Sequence, residues 1–143
     1  MVYLDTGCLL KLYCPEPESA AVATAVSGEP IVFTALHELE MVTAMRLKLF
    51  RGEAKAEQTD AAIGLVHEDL AAGKLVDAAV DWRSVFREAA SPAQTHAARV
   101  GCRSLDILHC ALGEGLAGAT IFLSSDTRQL ALARSERLRI LAI

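Results

Sequence analysis

The sequence carries no excess of positive charge: 14 Lys and Arg stand against 18 Asp and Glu, a formal net charge of −4. A protein gripping nucleic acid through one broad basic surface shows the opposite balance. Any nucleic-acid contact must therefore come from a local patch, or from cations gathered in an acidic cleft. Aromatic residues are scarce, 5% of a chain that is 52% apolar. Ala, Leu and Val fill the core instead, which favours helices packed on a buried sheet over an all-β fold. The four cysteines, Cys8, Cys14, Cys102 and Cys110, form no CxxC pair and sit in apolar runs. They read as buried, reduced thiols rather than zinc ligands. No basic and apolar leader opens the chain, and no apolar stretch approaches the roughly 20 residues of a membrane span. The expectation is a soluble, cytoplasmic protein without membrane contact. Repeats, low-complexity tracts and linkers are lacking too, so the 143 residues are expected to form one domain, 1–143.

What is present is alternation. Val2 to Leu4 reads as a short buried strand ending at Asp5, and Thr6 to Tyr13 as a helix stopped by Pro15. Glu16 to Ser27 reads as a helix, Ile31 to Phe33 as a strand, and Thr34 as the N-cap of a helix through Phe50. Glu53 to Ala72 forms the next helix and Leu75-Val76 a weak strand. Asp81 caps a helix to Ala90, Ser91-Pro92 opens another ending near Gly101, and Ser104 caps the helix that carries Asp106. Gly115 and Gly118 break that helix. Thr120 to Leu123 is the clearest strand, followed by a helix from Asp126 to Arg134 and a last strand, Leu138 to Ile143. Short, continuously apolar strands alternating with helices predict an α/β fold, a three-layer α/β/α domain around a central parallel sheet of four to five strands.

In such sheets, ligands bind beyond the C-terminal ends of the strands. Asp5 follows the first strand directly, and Asp126 follows Leu123 by three residues, so both carboxylates belong at one sheet edge. Glu40 and Asp106 lie in helices with apolar neighbours: Leu36, Ala44 and Leu47 around the first, Leu105, Ile107 and Leu108 around the second. Alone, each acid has a plain explanation, a helix N-cap for Asp5 or Asp126 and the edge of a solvated face for Glu40. Together, four partly buried carboxylates cost less when a hard divalent cation binds them.

The segments Leu4-Asp5-Thr6, Glu40-Met-Val-Thr-Ala44-Met-Arg46, Leu105-Asp106-Ile-Leu-His109-Cys-Ala111 and Phe122-Leu-Ser124-Ser-Asp126 resemble the four signatures of PIN domains. They resemble most the VapC toxins of bacterial toxin–antitoxin pairs. The likeness covers nearly the whole chain, and its specificity lies in the order and spacing of the four motifs. It implies Mg²⁺ or Mn²⁺ held by Asp5, Asp106 and Asp126, endoribonuclease activity on RNA, an antitoxin protein as partner, and a homodimer. Hydrolysis would proceed without a covalent intermediate, with one or two metals. Glu40 would complete the metal shell or orient the attacking water, and Thr6 and Ser124 would hydrogen-bond carboxylates from a second layer. The last motif usually has Thr where this chain has Ser124, which keeps the hydroxyl. Glu38, two residues from Glu40, competes for the second motif; the spacing to Ala44 and Arg46 favours Glu40.

Among the arginines, Arg46 and Arg103 neighbour acid motifs and are the candidates for phosphate contact, ahead of Arg99 and Arg128. His109, one helical turn after Asp106, is near enough to approach the site, though histidines so placed more often pack locally. His37, His67 and His96 have no convincing sequence partner. Asp5-Thr6-Gly7 matches the aspartic-protease triplet, but that chemistry needs an all-β fold and a paired second carboxylate. A dehalogenase-like phosphatase needs a second Asp where Gly7 stands, and a receiver domain needs adjacent N-terminal acids. The reading from another functional class is a non-catalytic PIN-like scaffold or binding module; four intact acids favour the enzyme.

Overall fold

A computed structural model of the chain describes residues 1–116 and 121–143. Its elements in order are β1 (Tyr3–Leu4), α1 (Thr6–Leu10), α2 (Ser19–Ala25), β2 (Ile31–Phe33), α3 (Ala35–Phe50) and α4 (Ala56–Ala71). Then follow β3 (Leu75–Asp77), α5 (Trp82–Val100), α6 (Ser104–Gly115), β4 (Phe122–Ser124), α7 (Thr127–Ser135) and β5 (Ile140–Ala142). The expected strand from Thr120 begins at Phe122; Thr120, like Gly118, lies outside the described residues.

Every strand pair is parallel, as continuous apolar strands between helices require. The expected four- to five-stranded sheet is divided into a three-stranded part, β1-β4-β5, and a two-stranded part, β2-β3. Among the described residues one parallel bridge, between Val2 and Ile31, joins them, with Val2 N–H on the Pro30 carbonyl and Val32 N–H on the Val2 carbonyl, both 2.9 Å. β1 is only two residues long, too short to carry a longer ladder to β2.

The pleat sorts neighbouring residues to opposite faces. Val2, Leu4, Ile31, Phe33 and Leu123 enter one apolar cluster, with Cys8, Leu9, Val22, Met41, Met45 and Val66 from α1 to α4. Tyr3, Val32 and Phe122 enter the other, with Ala89, Ile107, Leu112 and Leu132 from α5 to α7. Both faces are therefore dry, the three-layer arrangement expected. At Gly113 the α6 backbone passes so close to β4 that a Cβ would lie 2.7 Å from the Phe122 ring.

Local differences have local causes. Between the caps Asp81 and Gly101 lies one helix, not two: α5 runs through Pro92, and its Ala89, Ala93, Ala97 and Val100 stripe packs on the second cluster. Proline removes one helical hydrogen bond, but continuous burial of that stripe outweighs the loss. Gly101, at φ 73°, takes the left-handed position that closes α5. Thr34 occupies the N-cap position of α3 without a capping bond, because its hydroxyl pairs with His37 Nδ1 at 2.9 Å. Arg103, not Ser104, is the N-cap of α6. No helix of the described residues is long and apolar enough to cross a membrane.

Candidate active site

β1 pairs with β2 on one side, through the Val2–Ile31 bridge, and with β4 on the other. Chain connections leave in opposite directions here, which opens a crevice at the C-terminal strand ends. Asp5 stands at the end of β1 and Ser125 and Asp126 at the end of β4. Asp5, Thr6, Glu40, Arg103, Asp106, His109, Ser125, Asp126 and Gln129 line one cleft there. All four acids are thus neighbours of a single space.

Three of them also serve a helix. Asp5 Oδ1 accepts the Cys8 N–H at 2.6 Å at the start of α1. Asp106 Oδ2 accepts the Arg103 N–H at 2.7 Å on α6. Asp126 Oδ1 accepts the N–H groups of Arg128 and Gln129, at 2.8 and 3.2 Å, on α7. Capping accounts for one oxygen on each aspartate. It does not account for three helix N-termini, each a partial positive pole, meeting at one cleft, nor for Glu40, which caps nothing. Burial raises the Asp126 carboxyl, but the Gln129 and Arg128 N–H groups and the Arg128 guanidinium outweigh it and leave it below the ordinary value.

Glu40 projects from the second turn of α3 into a hydrogen-bond chain. Its Oε2 lies 2.6 Å from the Thr6 hydroxyl and 2.6 Å from His109 Nε2. His109 Nδ1 lies 2.8 Å from the Tyr3 hydroxyl. Burial raises the Glu40 carboxyl, but the bond and charge of His109, then Thr6 and His37, hold it below the ordinary value. Ser124 donates to Asp5 Oδ2, accepts the Asp126 N–H at 3.0 Å, and lies 2.8 Å from Gln129 Oε1. It therefore ties the two strand-end acids together. The buried Lys11 Nζ donates to Ser125 Oγ at 2.7 Å.

The donor set is four carboxylates, the hard oxygen ligands of Mg²⁺ and Mn²⁺ rather than of a soft ion. Among the described residues no group of three or more His, Cys, Asp and Glu side chains is placed to hold a metal ion by itself. Mg²⁺ does not require one, since it keeps several waters and takes one or two protein carboxylates. The chemistry of the cleft therefore fits a hydrated hard dication and does not fit a structural zinc.

Of the two candidate arginines, Arg103 lines the cleft, its side chain 72% exposed and its Nε 3.7 Å from Asp106. Arg46 turns to α4, 2.9 Å from Asp60 and 3.5 Å from Thr59. Glu38 is exposed and lines a separate pocket between α3 and α4, with Met41, Val42, Val66 and His67. His109 was weighed from the sequence only as a residue near enough to approach the site, and Tyr3, Lys11 and Gln129 were not legible as parts of it. The signal for His109 was its position one turn after Asp106; the others gave none. His37 and His96, without sequence partners, do have structural ones: His37 bonds the Leu4 carbonyl at 2.8 Å and His96 meets Glu136 at 2.8 Å.

Comparison with known proteins adds to this geometry. The sequence model of the PIN domain matches residues 2–135. Among solved structures, the fold is similar to FitAcB from Neisseria gonorrhoeae, with a TM-score of 0.62 at 18% identity, over 99% of this chain and 96% of that one. No curated protein matches.

Proposed function

This chain belongs to the PIN domain family, and from that premise we propose that it is a metal-dependent endoribonuclease that hydrolyses RNA phosphodiester bonds. One observation carries the reading: Asp5, Glu40, Asp106 and Asp126, from four separate elements, line the same cleft at the sheet's switch point.

Asp5, Asp106 and Asp126 are the residues that would hold Mg²⁺ or Mn²⁺, with Glu40 beside them. When bound, such an ion supplies Lewis-acid polarisation of a phosphate and a lowered pKa for water. The chain's own contribution is positioning. Ser124 and Thr6 hold carboxylate oxygens in place, and the Arg103 guanidinium, at the mouth, is placed to pair with a phosphate. Water is the nucleophile in this reading. The one thiol bonded into the site through its backbone, Cys8, is pushed up to about 12 by burial and by the Asp5 charge, so it is not a thiolate near neutral pH. An anionic substrate would approach this acidic cleft once a bound cation neutralised its carboxylates.

The biological role in this reading is the toxin of a toxin–antitoxin pair: one domain, cytoplasmic, homodimeric, blocked by an antitoxin that covers the acidic cleft. The four motifs and their resemblance to VapC toxins support it. A non-catalytic scaffold of the same fold is the competing reading.

The test is cleavage of a fluorescent single-stranded RNA by the purified chain in Mn²⁺, in Mg²⁺, and in excess EDTA. The proposal expects cleavage with either ion and none with EDTA. Cleavage unaffected by EDTA overturns the metal mechanism. Saturable Mn²⁺ binding without any cleavage, or no binding at all, favours the scaffold.

A further inference from the structure

The cleft contains a histidine to which the four-acid reading gives no task. His109 is 3% exposed and stands between two groups distant in sequence, Tyr3 and Glu40. The carboxylate of Glu40 can only accept, so His109 Nε2, at 2.6 Å, carries the proton of that bond. In a neutral ring the other nitrogen, Nδ1, is then left to accept. Tyr3 is fully buried, and among the described residues its hydroxyl has one hydrogen-bond partner, His109 Nδ1. Were Nδ1 to carry a proton and donate, the phenol hydrogen would be buried without an acceptor, a penalty of about 1–3 kcal/mol. With the phenol donating to Nδ1, every group in the chain is satisfied: Tyr3 O–H to Nδ1, Nε2–H to Glu40 Oε2.

Thr6 points its hydroxyl at the same oxygen, at 2.6 Å, and sits 3.1 Å from His109 Nε2. Both donors thus converge on Oε2, and the opposite oxygen, Oε1, is the one left for the cleft. An α3 glutamate without such anchors would sample several rotamers, which a metal or water partner would have to order on binding.

We propose that His109 is a positioning residue of the nuclease site: Tyr3 donates to its Nδ1 and keeps Nε2–H aimed at Glu40, and with Thr6 it pins Glu40 by Oε2 so that Oε1 faces ligand. This rests on the metal-dependent nuclease reading above. It is the logic by which outer hydrogen bonds orient metal-binding side chains, here with the histidine as the outer group and the carboxylate as the inner one.

Two measurements test it on the full chain. The first is ¹⁵N NMR of the histidine rings, which reads the tautomer without metal or RNA. His109 is expected as Nε2–H with a hydrogen-bonded Nδ1 in the wild type, and as Nε2–H with the Nδ1 resonance shifted by loss of that bond in Tyr3→Phe; an Nδ1–H ring, or an Nδ1 resonance unchanged in Tyr3→Phe, overturns the proposal. The second is calorimetric Mn²⁺ binding together with kcat and KM on RNA for His109→Leu, His109→Gln, Glu40→Gln and the His109→Leu/Glu40→Gln double variant. His109→Leu is expected to weaken Mn²⁺ binding or lower kcat by about 10- to 100-fold with little change in KM. His109→Gln, which keeps a donor near the Nε2 position, restores most of it. The double variant is expected to be no worse than Glu40→Gln. An equal effect of His109→Leu with and without Glu40 shows a merely structural role and overturns the proposal, as does a wild-type response. A wild type that neither binds Mn²⁺ nor cuts RNA sinks the nuclease reading instead, and the NMR measurement still decides the Tyr3–His109 arrangement.

Discussion

Ser124 donates its hydroxyl hydrogen to Asp5 across the β1–β4 seam, a bond between residues 119 apart in the chain. The same oxygen receives the Asp126 N–H, so one small side chain spans the two strand-end acids. This arrangement predicts how the site tolerates neutralisation. In Asp5→Asn the amide oxygen keeps the cap on Cys8, since Asn caps as well as Asp. The amide NH₂ then faces Ser124, whose hydroxyl can turn to Gln129 Oε1 at 2.8 Å. Asp5→Asn is therefore expected to leave the apo melting temperature unchanged or slightly raised, because a repelling charge is removed, while RNA cleavage is lost. Wild-type cleavage by this variant would displace the site.

The two glutamates of α3 give a sharper comparison. Glu40 lines the cleft and is held by Thr6 and His109, whereas Glu38 lies on another face of the helix. Glu40→Gln is expected to lower cleavage at saturating Mn²⁺ by about a hundredfold or more, roughly 2.7 kcal/mol of barrier. Glu38→Gln is expected to change the rate little. The kinetic ranking of the two variants is the measurement, and the opposite order would refute the assignment.

Acid should weaken the fold through His37. This ring is fully buried and pushed down to about 3, first by burial and then by His109, against the opposing pull of the Leu4 carbonyl and Glu40. Above about pH 6.5 both folded and unfolded forms are neutral, and the fold loses nothing. Below it the unfolded chain binds a proton that the folded one refuses, so stability falls by about 1.4 kcal/mol per pH unit toward pH 3. Urea unfolding at pH 7 and pH 4.5 is expected to show this loss, about 2–3 kcal/mol from His37. His37→Asn, less stable at pH 7, should show a correspondingly shallower dependence on pH; an equal slope would assign the acid loss to other groups.

Gly113 tests the closeness of α6 to β4. Alanine normally stabilises a helix interior by about 1 kcal/mol over glycine. Here its Cβ would meet Phe122 at 2.7 Å, and that ring is 1% exposed and stacked on Tyr3. Overpacking of about 1–3 kcal/mol should win, so Gly113→Ala is expected to lower the midpoint of thermal unfolding. A rise would mean that α6 can shift away from the strand freely.

The sequence by itself determined what is local or repetitive. Apolar runs such as Ile31-Val32-Phe33 and Phe122-Leu123 announced strands, Asp81 and Asp126 announced helix starts, and the order of elements implied a parallel sheet. Asp5, Asp106 and Asp126 were legible for the same reason, since strand ends and helix first turns are read from a few adjacent residues; Glu40, in the second turn of α3, was picked out by its spacing to Ala44 and Arg46. Tertiary structure decided whatever depends on a partner far along the chain. Thr34 turned from capping to His37, α5 continued through Pro92 because its far side is buried, and Arg46 found Asp60 rather than the cleft. His109 is the clearest case. Its neighbours in sequence are apolar, and its task is set by Tyr3, 106 residues away, and Glu40, 69 away. A hydrogen bond stabilises only when donor and acceptor are brought within about 3 Å of each other in the right orientation. Short-range pattern carries no record of that distance, so only the folded chain could decide which side chains complete the site.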